Sequence, residues 1–254
     1  MDMIIAIIQA RTGSTRLPGK ICMQIEGKTL LELFINRVKP SKKIQKIIVA
    51  TTTLKQDDPI IDICKKANVE YYRGSENDLL DRYYQCAKLN GASIIVRITP
   101  DDPFVDHEVI DRGIDTFLNN NVDFVTNHFE PTYPEGLDME VYSFQALERS
   151  WNEAKRPSES EHVFPYIQNN PDKFKIINFK QDTNYSHLRW TIDHQCDFDM
   201  TKLIYSYLYK SKPIFLQQDI LDLIEKHPEI AKMNDYIKRK EGVQKSIEKE
   251  KGVK

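Results

Sequence analysis

The sequence predicts an α/β protein with a mostly parallel sheet, helices on both faces and a helical C-terminal appendage. Two observations carry this prediction. Apolar runs of strand length alternate with segments of helical periodicity over residues 4–126, which is typical of βαβ units. From Pro213 onward the pattern is helical throughout. We therefore expect one domain, with its main body over residues 1–212 and a helical extension of the same domain over residues 213–254.

In the first half of the chain, each predicted strand is followed by a predicted helix. Strands are expected at residues 4–8, 44–50, 69–72, 93–98 and 122–126, and helices at 30–38, 59–67, 77–89 and 106–119. Asp106 is a natural N-cap for the last of these helices, because its carboxylate can accept hydrogen bonds from free backbone N–H groups.

In the second half, the pattern changes to shorter and more varied segments. A strand is expected at 136–142, followed by a helix that buries Leu147 and Trp151. A Ser158–Glu161 capping box predicts a helix through Ile167. Segments 174–179 and 187–192 resemble two strands that could pair, and Asp197 is expected to cap a helix over 197–209. Helices are also expected at 217–225 and from 229 to about 251, with a break at His227-Pro228.

Composition excludes several classes of protein. Hydrophobic residues make up 40% of the 254 residues and charged residues 29%, as in ordinary globular proteins. The net charge of −2 provides no global field for nucleic acid, and no apolar stretch approaches membrane-spanning length. A strand begins almost at once, which leaves no room for a signal peptide. The four cysteines form no C-x-x-C pair, so we expect free thiols in a reducing cytoplasm.

The most informative segment is the loop that follows the first strand. It contains two glycines, three hydroxyl residues, Thr12, Ser14 and Thr15, and three cations, Arg11, Arg16 and Lys20. The loop follows a strand at the carboxyl edge of the sheet, where open α/β proteins bind ligands. Its three cations favour an anion with several charges, and a nucleoside triphosphate fits best. It is not a Walker A loop, because five residues separate Gly13 from Gly19-Lys20 and no Ser or Thr follows. An ordinary βα connection with solvated charges is the alternative.

Two acidic positions are candidates for the same edge. Asp101 and Asp102 lie in a proline-stiffened turn after the strand at 93–98. Carboxylates beside bound phosphates need a cation between them, and magnesium is the expected one. The alternative is a turn in which these carboxylates bond local backbone N–H groups. Asp193 ends the segment at 187–192, and it would share the metal with Asp101 if the two strands were neighbours.

A second substrate could bind beyond these strands. The candidates are Gly136, Asp138 and Glu140 in one segment, and His162 and Tyr166, one turn apart on the predicted capped helix. A turn leading into a half-exposed strand, and histidine packing, are the alternatives. Arg97 could face phosphate or pair with an acid, and the Gly74-Ser75 loop could contact a base through its backbone.

These residues resemble a known family. The segment from Gln9 to Lys20 is similar to the opening motif of cytidylyltransferases related to spore-coat polysaccharide biosynthesis protein F, which are themselves similar to the enzymes that make CMP-Kdo and CMP-sialic acid. Four further segments carry the resemblance, which covers residues 4–209: Arg73–Tyr83, Thr99–Pro103, Tyr133–Asp138 and Leu188–Asp193. It implies a Rossmann-like sheet of the nucleotide-diphospho-sugar transferase type and, commonly, a homodimer.

The resemblance also implies roles for individual residues. The triphosphate would be held by Ala10, Arg11, Gly13, Ser14, Arg16 and Lys20. Thr51, Gly74 and Ser75 would lie near the base and ribose, and Arg97 near the nucleotide. Asp101 and Asp193 correspond to a magnesium-binding pair. The first loop and the acidic turn depart from the CMP-sialic acid and CMP-Kdo patterns, which places the chain nearer the spore-coat branch.

We therefore expect a magnesium-dependent cytoplasmic cytidylyltransferase that acts on CTP and an acidic sugar or sugar-like acceptor, with Arg11, Lys20, Asp101 and Asp193 as catalytic residues. A GT-A glycosyltransferase using a nucleotide-sugar is one alternative, although Asp101-Asp102 are adjacent rather than spaced as Asp-x-Asp. A nucleotide-binding module without catalytic activity is the other.

Overall fold

The structure is a computed structural model that describes residues 2–14 and 16–239. Its centre is a seven-stranded sheet. The strands are β1 (Ile4–Gln9), β4 (Lys46–Thr52), β5 (Glu70–Gly74), β6 (Ile94–Ile98), β7 (Phe124–Thr126), β8 (Glu140–Ser143) and β9 (Ile176–Asn178). The short strands β2 (Gln24–Ile25) and β3 (Lys28–Thr29) form a separate antiparallel pair.

The strand order is β5-β4-β1-β6-β8-β7-β9. Strands β4, β1 and β6 pair in parallel, as do β4 with β5 and β7 with β9. β8 runs antiparallel to both β6 and β7. The chain extends the sheet to one side of β1 through β4 and β5 and then crosses to the other side at β6. The carboxyl ends of the neighbouring strands β1 and β6 therefore form a topological switch point, which is where open α/β sheets bind ligands.

Helices cover both faces of this sheet. They are α1 (Leu30–Val38), α2 (Asp58–Lys66), α3 (Leu79–Leu89), α4 (His107–Leu118), α5 (Phe144–Glu153), α6 (Pro157–Glu161), α7 (Pro165–Asn169), α8 (Gln195–Leu208) and α9 (Gln217–Lys226). Side chains of β1 alternate between the two cores: Ile4, Ala6 and Ile8 pack with α1, α2, α4 and α8, whereas Ile5 and Ile7 pack with α3 and α5. The predicted fold class is thus confirmed.

Local sequence signals account for several helix starts. At α1, Thr29 and Glu32 form a reciprocal capping box. The Asp106 carboxylate accepts a hydrogen bond from the Glu108 N–H at 2.8 Å, so Asp106 is the N-cap of α4 as predicted. The helix over 30–38 has its predicted bounds, and the other elements of the first half lie within two residues of theirs.

Four predictions between residues 136 and 192 are wrong. Residues 187–192 form no strand and make one isolated bridge, Glu135 with Arg189. The helix predicted from Ser158 to Ile167 is instead α6 and α7, because Pro165 lacks the N–H that would continue the first helix. At the start of α6, the Glu159 carboxylate accepts hydrogen bonds from the N–H groups of Lys155 and Arg156, so the predicted Ser158–Glu161 capping box is wrong. The strand predicted at 136–142 begins only at Glu140.

Residues 213–239, the C-terminal segment of the described chain, pack on the same core as α1 and α8. Phe215 and Ile220 are fully buried, and Ile230 and Asn234 are almost so. The helix predicted from 229 is wrong over the described residues, where a single 3₁₀ turn spans Ala231–Met233. The part of that prediction beyond residue 239 lies outside the described residues. Within the described residues, no helix is long and apolar enough to cross a membrane.

Candidate active site

The cationic loop is fastened at its start by a buried carboxylate. Asp57, at the entrance to α2, is fully buried, and its Oδ1 accepts hydrogen bonds from both the backbone N–H and the hydroxyl of Thr12, each at 2.7 Å. Its Oδ2 accepts a hydrogen bond from the Thr52 hydroxyl. Although burial raises the pKa of Asp57, these hydrogen bonds lower it below its ordinary value. The ionised Asp57 carboxylate therefore holds the start of the cationic loop in place through its two hydrogen bonds with Thr12.

At its far end, the loop places Lys20 between the two predicted carboxylates. The Lys20 Nζ lies 3.0 Å from Asp101 Oδ2, 3.0 Å from Asp193 Oδ1 and 2.5 Å from the Ile192 carbonyl oxygen. An ammonium group has three N–H donors, and all three are used here. Arg16 lies 2.5 Å from Asp193 Oδ1. Two acids that are 92 positions apart thus share one cationic centre at the switch point.

The backbone explains why these acids meet. The Ile192 N–H donates to the Asp101 carbonyl at 2.8 Å, and the Thr191 hydroxyl lies 3.3 Å from the same oxygen. Neither acid uses its carboxylate to hold this turn. Asp102 does so instead, by accepting a hydrogen bond from the Thr99 hydroxyl at 2.6 Å. The local-turn interpretation therefore applies to Asp102, while the Asp101 carboxylate faces Lys20.

Behind Asp193 lies a buried network of charges. Arg189 donates to Asp193 Oδ2 at 3.4 Å, to Glu135 at 2.9 Å, and to both oxygens of Asp197 at 3.0 Å. Asp197 Oδ2 also accepts the N–H groups of Asp193 and His194 at 2.9 Å each. Asp197 was predicted to cap α8; it does bond the free N–H groups there, but from within the first turn, with His194 at the N-cap position.

These charges control protonation. Burial raises the pKa of Asp193, but Lys20 and Arg16 outweigh burial and lower it to about 2. Burial lowers the pKa of Lys20, and the charges of Asp101 and Asp193 raise it above its usual value. Both groups are therefore ionised near neutral pH.

A second polar cluster lies at the same edge, on the face covered by α3 and α5. Arg97 and Glu140 face each other across β6 and β8, with Arg97 NH1 2.6 Å from Glu140 Oε1. The same oxygen lies 2.8 Å from His128 Nε2, and the Tyr142 hydroxyl donates to the other oxygen. Arg97 also donates to the Gln9 side chain at 3.1 Å. Of the two predictions for Arg97, pairing with an acid is confirmed.

The remaining predicted residues differ in how close they lie to these clusters. Arg11 is exposed. Burial lowers the pKa of His162, and the positive charges of Arg97 and Arg11 lower it further. Tyr166, predicted beside His162 on one helix, lies on the separate helix α7, where its hydroxyl contacts Glu153 and Lys173.

The nucleoside and acceptor candidates are held by loop contacts. The Ala10 N–H donates to the Ala50 carbonyl, and Ser14 and Gly19 donate to the Thr12 carbonyl. Gly74 ends β5, where a Cβ would meet the side chains of Tyr72 and Arg82. The Ser75 hydroxyl accepts a hydrogen bond from the Asp78 N–H, so Ser75 belongs to the turn before α3. Gly13 has open space except near Gln56.

Thr51 is fully buried, and among the described residues its hydroxyl has no hydrogen-bond partner. Gly136 and Asp138 lie in the loop that contacts Arg189 and Arg239.

Sequence reasoning missed five residues that build this site: Asp57, His128, Arg189, Asp197 as a buried partner, and Asn234. Their signals were weak because each contacts residues far away in sequence. The Arg189 position lay inside a recognised motif, which was the one available indication.

Comparison with known proteins places the chain in a family. The cytidylyltransferase family model matches residues 5–241, so the chain belongs to the cytidylyltransferase family. This match also extends the resemblance past residue 209, into the C-terminal segment. The chain is therefore a nucleotidyltransferase of the CTP-using class, as predicted, and not a GT-A glycosyltransferase.

Three individual proteins illustrate the relationship. The chain is 39% identical to an uncharacterised protein of Methanocaldococcus jannaschii, covering 93% of this chain and 96% of the other. It is 31% identical to spore coat polysaccharide biosynthesis protein SpsF of Bacillus subtilis, covering 91% and 98%. A solved cytidylyltransferase from Leptospira borgpetersenii is similar with a TM-score of 0.89 and 36% identity, covering 94% and 100%.

The site residues fit a divalent cation. The Lys20 ammonium group is surrounded by oxygen atoms of Asp101, Asp193 and the Ile192 carbonyl. Hard divalent cations prefer such oxygen donors. Among residues 2–14 and 16–239, no group of three or more His, Cys, Asp or Glu side chains could hold a metal ion. Two carboxylates suffice for magnesium, which keeps several waters and takes phosphate oxygens from the substrate.

Proposed function

We propose that this chain is a magnesium-dependent cytidylyltransferase that transfers CMP from CTP to an acidic sugar or related acceptor, in surface polysaccharide biosynthesis. The observation that carries the proposal is the meeting of Lys20, Asp101 and Asp193 at the switch point. The acidic acceptor follows from the resemblance to enzymes that make CMP-Kdo and CMP-sialic acid. The relative SpsF, named for polysaccharide biosynthesis, supports the pathway.

In this reaction an acceptor oxygen forms a bond to the α-phosphorus of CTP. The bond to the oxygen bridging the α- and β-phosphates breaks, pyrophosphate leaves with the electron pair, and the acceptor proton passes to solvent. Arg11, Arg16 and Lys20 would stabilise the negative charge that grows on pyrophosphate, and the loop that contains Ala10, Gly13 and Ser14 would position it. Positioning and electrostatics supply the acceleration, since no covalent enzyme intermediate is required.

The other site residues would bind the two substrates. Asp101 and Asp193 would hold magnesium, which neutralises phosphate charge when bound. Gly74 and Ser75 would contact the base and ribose, and Thr51 would support that region from beneath. Arg97 would lie near the nucleotide. The acceptor would lie beside Glu140 and His162, between these residues and the loop with Gly136 and Asp138; Tyr166 would act only through packing. From the resemblance we also propose that the protein is cytoplasmic and that it forms a homodimer. Sedimentation tests the homodimer.

The proposal is tested by incubating the protein with magnesium, CTP and a panel of acidic sugars and measuring pyrophosphate. Asp101→Asn should lower turnover at least about 100-fold, because it removes one of two charges that hold the cation. Its circular dichroism should be unchanged. The matched control is Asp62→Asn, whose side chain is 81% exposed and lies on α2.

Near-normal turnover of the Asp101→Asn variant would overturn the metal role. Magnesium-dependent CTP binding without pyrophosphate across the whole panel would instead support a nucleotide-binding module. A thermal-shift comparison of the four nucleoside triphosphates tests the preference for cytosine, because selective binding stabilises the native state.

A further inference from the structure

The C-terminal segment reaches into the charge network behind Asp193. Asn234 follows the 3₁₀ turn at Ala231–Met233 and is 1% exposed. Its Nδ2 donates to Asp197 Oδ1 at 2.7 Å and lies 3.2 Å from the Arg189 carbonyl oxygen. One amide side chain thus bonds the carboxylate of Asp197 and the backbone of Arg189.

Each link from Asn234 to the site is a direct contact. Asp197 holds Arg189 through two hydrogen bonds and fixes the N–H groups of Asp193 and His194. Arg189 in turn contacts the Asp193 carboxylate, which faces Lys20. Asn234 is therefore separated from Asp193 by a single residue, Asp197.

Arg239 makes a second connection from the same segment. Its NH2 group lies 2.6 Å from Asp138 Oδ1, and its NH1 group lies 3.2 Å from the Tyr133 carbonyl oxygen. The loop that it contacts is bonded to the Arg189 segment, because the Trp190 N–H donates to the Glu135 carbonyl at 2.6 Å. The C-terminal segment therefore contacts both loops that border the site.

We propose that Asn234 is a positioning residue for the reaction: by hydrogen-bonding Asp197 and the Arg189 carbonyl, it holds the Asp193 carboxylate in place against Lys20. This inference rests on the proposed function. A buried amide is suited to the task because it supplies donors to a carboxylate without adding charge to an ion pair that is already balanced. An apolar side chain of similar size would fill the same space but leave the network short of a donor.

The test compares Asn234→Leu, which keeps the number and branching of the side-chain heavy atoms, with Asn234→Ala, which removes the amide without adding bulk, and uses Asp235→Asn as the control. Asp235 is the next residue and is exposed. Loss of an outer partner of a site carboxylate should lower kcat about tenfold, with KM for CTP within about threefold of wild type. The control should retain wild-type kcat.

A second readout does not depend on turnover. Hydrogen exchange of the Asp193 and His194 amides, both of which donate to Asp197, should become at least about fivefold faster in the two Asn234 variants. Exchange in α3 should not change, since a global loss of stability would accelerate both regions. Unchanged exchange at 193–194, or unchanged kcat in both variants, would overturn the positioning role. Absence of pyrophosphate in the wild type would overturn the proposed function while the exchange result still decides the role of Asn234.

Discussion

At the scale of single residues, Glu140 shows how burial and pairing compete. Burial raises its pKa, but Arg97 and His128 lower it to about 2. The folded protein therefore keeps this carboxylate charged in acid that protonates the same group in the unfolded chain, near its ordinary value of about 4.3. The pair contributes stability that is fully present above that ordinary pKa and is lost as pH falls through about 2.

Replacing Glu140 with Gln should destabilise the protein by roughly 3 to 5 kcal/mol at pH 7, because Arg97 would remain buried without its counter-charge. Urea unfolding at pH 7 and pH 3 measures the effect. The difference between wild type and variant should shrink at the lower pH. Glu130→Gln is the control, since its side chain is 72% exposed and pairs with Lys180 at the surface. Equal differences at the two pH values would contradict the linkage.

At the scale of elements, the two loops beside the site depend on one glycine. Gly136 has a φ of +106°, and a Cβ there would lie 2.6 Å from the backbone carbonyl of Trp190. The Glu135 N–H donates to the Leu188 carbonyl at 2.9 Å, so these backbones run in contact. Only glycine permits both the conformation and the approach.

Gly136→Ala should therefore cost more stability than strain alone, which is about 1 to 3 kcal/mol. It should also lower turnover, because the loop with Gly136 pairs with the Arg189 segment through the bridge between Glu135 and Arg189. Thermal unfolding and pyrophosphate release measure the two effects. The control is Gly27→Ala, where φ is +73° but a Cβ would meet nothing within 4 Å. Equal destabilisation by the two substitutions would show that the contact with Trp190 is unimportant.

Element prediction succeeded where local signals agreed and failed where they competed. The helix over 30–38 combined apolar periodicity with a Thr29–Glu32 box. Around Ser158, a capping pattern suggested one helix, but Pro165 ended it. Residues 187–192 alternate like a strand, yet their partners are a turn at Asp101 and the loop at Glu135 rather than another strand.

At the scale of the whole molecule, the C-terminal segment is part of the domain core. Phe215 is fully buried against Phe104 and Tyr205, with ring centroids 5.9 Å and 5.1 Å away. Its carbonyl accepts a hydrogen bond from Arg37 at 2.5 Å, and the Arg37 guanidinium lies over its ring. The family match to residue 241 agrees with this packing.

Phe215→Ala should lower the free energy of unfolding by about 3 to 5 kcal/mol, because it leaves a large cavity in a shared core. Chemical denaturation should still show one transition, as expected of a single cooperative unit. Leu89→Ala, at a side chain that is 74% exposed, should change stability by less than about 0.5 kcal/mol. A separate early transition for the C-terminal segment would contradict a common core.

The sequence by itself determined the class of fold, the cationic loop with Lys20, the two acids Asp101 and Asp193, and the family, because hydrophobic periodicity and short motifs are local properties of the chain. It left Arg97 between two roles and gave no sign of Asp57, His128 or Asn234. Only the tertiary structure showed the partners of these four residues, since the contacts of a buried polar side chain depend on the groups that folding brings to it. Asp101 and Asp193 meet because the backbone at Ile192 bonds the turn at Asp101, a contact between segments that no local pattern records.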